Sequence, residues 1–107
     1  MSKFILIVAV LLSSTAAFAQ TDEMMIDMKK ECVTDWRGNY AMQEYCLARQ
    51  VKAFLVMHDI YKADRTKEES AILDACLTQW PRGTGHNWPM VQHCYNRQNA
   101  ARIRLEN

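Results

Sequence analysis

Cys32 to Gln50 reads C-V-T-D-W-R-G-N-Y-A-M-Q-E-Y-C-L-A-R-Q, and Cys76 to Gln98 reads C-L-T-Q-W-P-R-G-T-G-H-N-W-P-M-V-Q-H-C-Y-N-R-Q. The second stretch repeats the first. Cys, Thr, Trp, Arg, Gly, Asn, Met, Cys, Arg and Gln follow in the same order in both, and the second copy is longer by Pro81 and by Thr84-Gly85-His86. Each copy has the grammar of a helix, a turn and a second helix. The chain therefore reads as an all-α protein built from two tandem helical hairpins, forming a small four-helix bundle, with repeats over about residues 22–63 and 66–107.

Outward from the repeat, the helices can be placed by apolar spacing. Met25, Met28, Cys32 and Trp36 recur at three- and four-residue intervals, which predicts a first helix from Asp22 to Trp36. Asp22, Glu23 and Asp27 lie towards its start, where carboxylates suit the helix dipole. Arg37-Gly38-Asn39 ends it, with Gly38 suited to a left-handed C-terminal cap and Asn39 to an N-cap for the next helix. That second helix runs from Tyr40 to Lys62 with no Gly or Pro inside. Met42, Cys46, Phe54, Met57 and Tyr61 share one side of it and Leu47, Val51 and Leu55 lie beside them, a sector broad enough to predict burial against more than one helix.

Thr66 with Glu69 makes a capping box for a third helix, Lys67 to Trp80, which Pro81 stops. Asn87 is placed to cap a fourth helix, Pro89 is tolerated in its first turn, and the pattern continues through Leu105. No stretch carries a strand pattern.

In antiparallel helices joined by a short turn, the Cys one turn before Trp faces the Cys one turn after Met. That geometry predicts Cys32–Cys46 and Cys76–Cys94. Four cysteines allow three pairings, and the duplication favours the one that stays within each copy. Each bond would close a short loop and contribute about 3 kcal/mol through lost chain entropy. The other repeated residues are Trp36, Gly38, Asn39, Met42 and Gln50 in the first copy, and Trp80, Gly83, Asn87, Met90 and Gln98 in the second. The two Trp are expected to seal the hairpin ends, and the two Gln to clamp loop backbone or an indole N–H. A motif that one fold uses twice is better explained by packing than by a single active site.

Residues 1–19 carry a different signal. Lys3, the apolar run Phe4 to Leu12 and the small residues Ala17 and Ala19 have the layout of a cleavable secretory signal, cut before Gln20. Residues 20–107 then form a single domain. Of 13 Lys and Arg, Lys3 falls in the signal, so the mature chain's basic residues balance its 12 acidic ones. Neither nucleic acid nor an anionic membrane would be drawn to such a chain, and no stable membrane insertion is expected after cleavage. An even cysteine count in an exported chain reads as disulfides.

Chemistry finds little support. No C-x-x-C, H-E-x-x-H, G-x-S-x-G or Gly-rich phosphate loop is present. His93 and Cys94 are sequence neighbours, but adjacent residues on a helix diverge by about 100° and do not face each other. No catalytic residue and no cofactor is expected, and the chain does not read as an enzyme. Met24, Met25 and Met28 cluster as thioether ligands for copper do, with Met25 and Met28 more simply read as core and Met24 at its edge. His58, His86 and His93 are the other candidate ligands, at no ligand-pair spacing.

The pattern C-x3-W, a turn, then aromatic-x-M-x3-C-x3-Q resembles one found in small, uncharacterised secreted bacterial proteins. The likeness covers both copies, roughly half of the mature chain. It implies bacterial export and a structural role for the repeat, and it carries no functional residue with it. The layout is also similar to that of twin-cysteine helical-hairpin proteins, but those hold two disulfides per hairpin where this chain has cysteines for one, so no shared role follows.

The reading that emerges is a non-enzymatic, Sec-exported periplasmic or secreted protein that binds an envelope or extracellular protein on a stapled scaffold. An inhibitor or immunity protein is its narrower form. A metal-handling protein for copper or zinc, using the Met and His residues, is the alternative. The intact mass of the exported protein, measured without reductant, is expected to match a chain starting at Gln20 with no alkylatable thiol. A retained leader or a free thiol would overturn the export reading.

Overall fold

The computed structural model describes residues 23–107. The expected signal at 1–19 and cleavage before Gln20 lie outside the described residues. Four helices carry the chain: α1 over residues 23–35, α2 over Tyr40–Lys62, α3 over Lys67–Gln79 and α4 over Trp88–Glu106. The helix ends fall where local chemistry puts them. Gly38 takes a φ of 77°, in the left-handed region that favours glycine, and turns the chain out of α1. Asn39 Oδ1 then accepts the Met42 amide at 3.1 Å and opens α2. At the far end of α2, Arg65 donates to the Ile60 carbonyl at 2.7 Å and also to that of Tyr61, satisfying acceptors that a helix terminus leaves open. The capping box at α3 is complete, with Glu69 N–H bonded to Thr66 Oγ1 and Thr66 N–H to Glu69 Oε1, each at 3.1 Å.

Both disulfides join the expected partners. Cys32 is bonded to Cys46 and Cys76 to Cys94, with Cα atoms 5.6 and 5.8 Å apart. Each staples one antiparallel helix pair. α4 then packs against both α2 and α3. The core is set by Met57 from α2, Leu73 and Cys76 from α3, and Val91 and Tyr95 from α4, with Ile60, Ile72, Leu77, Trp80 and Trp88 around it. It belongs mostly to the second copy. In the first, Met28 and Cys32 are buried on α1, and Gln50 and Ala53 on α2.

Several expectations are corrected. A two-stranded antiparallel ribbon, β1 (Pro81–Arg82) and β2 (Gly85–His86), occupies the loop that had shown no strand pattern. Strands of two residues are too short to alternate visibly. The broad apolar sector of α2 is not wholly covered, since Leu55 is 55% and Tyr61 64% exposed and Leu47, Val51 and Leu55 face an open apolar surface shared with Met25. On α1 the buried line is Met28 and Cys32, while Met25, and Trp36 in the turn just after the helix, stay substantially exposed. Asn87 makes no side-chain cap. Pro89 has no N–H to offer it, and the α4 terminus is held from elsewhere: Gln50 Oε1 accepts the Trp88 amide at 3.3 Å.

That contact separates the two repeated glutamines. Gln50 is 5% exposed and reaches across to the other copy, whereas Gln98 is exposed on α4. Replacing Gln50 by Ala is expected to cost about 1–3 kcal/mol, the range for stranding a buried donor. Gln98→Ala should stay within about 0.5 kcal/mol of wild type. Urea unfolding of both variants checks this, and equal losses would show that the two residues do the same work.

At α3 the two hydrogen bonds with Thr66, that from its backbone N–H first, hold the Glu69 carboxyl below its ordinary range. A carboxylate depressed in the folded state contributes stability above its unfolded pKa and loses it as pH falls through the folded value. Thr66→Ala removes the hydroxyl but keeps the backbone N–H, so it should raise the Glu69 pKa only part of the way and modestly shrink the stability difference between neutral and acid pH, read by carboxyl NMR titration and by acid unfolding.

Candidate functional site

The residues that lengthen the second copy build the site. Gly83, at a φ of 53°, turns the ribbon between Arg82 and Thr84. The ribbon lies along α1, where Asp27, Glu31 and Asp35 recur every fourth residue and so share one face. Asp35 Oδ2 takes a 2.6 Å ion pair from Arg82, and Asp27 Oδ2 accepts the Thr84 hydroxyl at 2.8 Å. Between them Gly83 sits so close to Glu31 that an added Cβ would clash with its Oε1. Three acidic side chains of the first copy thus meet three consecutive loop residues of the second.

Arg82 is the hinge of this arrangement. Its side chain is only 20% exposed, and its guanidinium reaches to within 3.8 Å of Cys46 Sγ. Its Nε is buried without a hydrogen-bond partner among the described residues. Arg82 and Gln50 together divide two clefts of about 250 Å³ each.

The first cleft is lined by Met24 and Met28 of α1, by Asp27 and Glu31, and by His86 and Trp88. The second holds Trp36, Tyr45, Arg49 and both repeated methionines, Met42 and Met90. The Arg49 guanidinium stands 5.7 Å from the centre of the Tyr45 ring. A row of rings starts at the first cleft, with His86 5.3 Å from Trp88, Trp88 5.1 Å from Phe54 and Phe54 5.4 Å from His58.

The repeated residues have diverged in setting. Trp80 is half-buried against the core, but Trp36 is 41% exposed and does not seal its hairpin. Its end carries two more open aromatics, Tyr40 at 80% and Tyr45 at 57% exposed. Gly38 and Asn39 are exposed turn residues, and Asn87 borders the second cleft. His58 and His86 border one apolar cleft while His93 lies elsewhere, and among the described residues no three His, Cys, Asp or Glu groups form a metal-holding set. Sequence spacing had put Met25 and Met28 in the core with Met24 at its edge. Met25 is instead 37% exposed, and Met24 joins Met28 along the first cleft.

Among the described residues no helix is long and apolar enough to cross a membrane. Comparison with protein-family models, curated proteins and solved structures returned no match.

Proposed function

We propose that this chain is a non-enzymatic interaction protein, exported to the bacterial periplasm or beyond, and that it binds a protein partner through the Trp36–Tyr40–Tyr45 end of the first hairpin. The observation that carries this reading is the exposure of those three rings on a stapled turn. Trp, Tyr and Arg are the residue types that dominate binding energy at protein interfaces. Here Trp36, Tyr45, Arg49 and Met42 border one cleft, and Tyr40 stands at the head of the same helix. Cys46, which also lines the cleft, is fixed to α1 through Cys32. The surface is therefore held in place before a partner arrives, which reduces the ordering cost of binding. Two disulfides fit an oxidising compartment. An inhibitor or immunity protein acting on an exported enzyme or toxin is the narrower form of this function, since such a role needs a rigid surface and no chemistry of its own.

A photo-crosslinking residue placed at Gln43, within the aromatic end, is expected to capture one discrete envelope protein. The same probe at Lys62, at the other end of α2, should not. Trp36→Ala with Tyr45→Ala should abolish the capture and weaken binding of the purified partner by roughly thirtyfold or more, the effect of losing about 2 kcal/mol at a hot spot. Capture that is equal at both positions, or unaffected by the double substitution, would overturn the assignment.

A further inference from the structure

We infer that the first cleft is a binding site for a soft monovalent metal ion, Cu(I), held by the thioethers of Met24 and Met28 and by Nε2 of His86. The inference does not rest on the partner-binding surface, which lies on the other side of Arg82 and Gln50. Three observations carry it.

The donors line one cleft and come from two separate elements. Met24 and Met28 are one helical turn apart on α1, and His86 is brought to the same 250 Å³ cleft by the ribbon that docks on that helix. Thioether sulfur selects Cu(I) over the harder divalent ions, and imidazole suits copper as well. The cleft offers no cysteine, and of its two carboxylates Asp27 accepts the Thr84 hydroxyl while Glu31 lies beside Gly83. Among the lining side chains the two thioethers are the soft donors and the imidazole completes a set suited to copper.

His86 is also prepared as a ligand. Its Nδ1 lies 3.0 Å from the Leu77 carbonyl oxygen. A carbonyl can only accept, so Nδ1 carries the proton and the lone pair is on Nε2. A backbone carbonyl bonded to the second ring nitrogen is the usual support for a metal-binding histidine, because it sets the tautomer and holds the ring. Neither His58 nor His93 has such a contact among the described residues.

Charge is the third point. Asp27 and Glu31 border the cleft, and its one lining cation, Arg82, is already ion-paired with Asp35, so the surroundings of the site are negative. That charge favours a cation over an anion, and the thioethers, not the charge, select Cu(I). Trp88, beside His86, supplies an intrinsic optical probe.

The test uses the full mature chain with both disulfides intact. Cu(I), supplied anaerobically as its acetonitrile complex, is titrated in competition with bicinchoninate. One equivalent is expected to stay with the protein. Met24→Leu, Met28→Leu and His86→Gln should each weaken retention by roughly tenfold or more, comparable to perturbing an established metal site, while Met25→Leu and His58→Gln leave it unchanged. Ag(I), a redox-inert stand-in, should shift the NMR methyl signals of Met24 and Met28 and not that of Met25. Far-ultraviolet circular dichroism checks that each variant is folded. Should Met28→Leu disturb packing, Met24→Leu and His86→Gln, both at partly exposed positions, decide the matter. Failure of the folded wild-type protein to hold Cu(I), retention indifferent to these substitutions, or preferential binding of Zn(II) would each overturn the site.

Discussion

Gln50 lies where the first copy's second helix bonds directly to the start of the second copy's second helix. Its amide oxygen takes the Trp88 N–H, one of the donors that a helix start leaves unpaired. A buried amide without a partner would cost more than the bond contributes, so both the Gln50 side chain and the α4 terminus are constrained by this contact. Around it the rest of the molecule takes its positions. α4 is held against α2, the Pro81–His86 ribbon is directed along α1, and the two clefts open on either side of Gln50 and Arg82.

The duplication therefore ends in asymmetry. Two copies with the same local grammar produce two stapled hairpins, but only the second carries the extra loop residues. Those residues dock on the first copy through Asp27, Glu31 and Asp35. Nothing of that kind grows from the first turn, where Gly38 has open space around it. The second copy consequently owns most of the core, with Trp80 tucked against it, and the first copy keeps Trp36, Tyr40 and Tyr45 at the surface. The buried core and the exposed rings are divided between two versions of one motif.

The disulfides make this division possible in a small domain. A chain of this size buries a limited core, and a core drawn mostly from one copy would leave the other weakly anchored. Cys32–Cys46 ties α1 to α2 by a covalent bond. The same bond fixes α1 beneath the ribbon, so the thioethers of Met24 and Met28 and the ring of His86 stay around one cleft.

What the sequence determined by itself was whatever depends on neighbours a few residues away. Helical spacing, the Gly38 and Asn39 turn, the Thr66–Glu69 box, the stop at Pro81 and the pairing of cysteines within each copy all follow from local geometry, and all are present in the fold. Even the insertion in the second copy was visible as Pro81 and Thr84-Gly85-His86. Its destination was not. Which glutamine is buried, which tryptophan is exposed, and which methionines share a cleft were decided by contacts between residues 38 to 57 positions apart, Gln50 with Trp88, Asp35 with Arg82 and Asp27 with Thr84. Periodicity reports that a residue lies on a face. Only the docking of one copy on the other decides whether that face is covered.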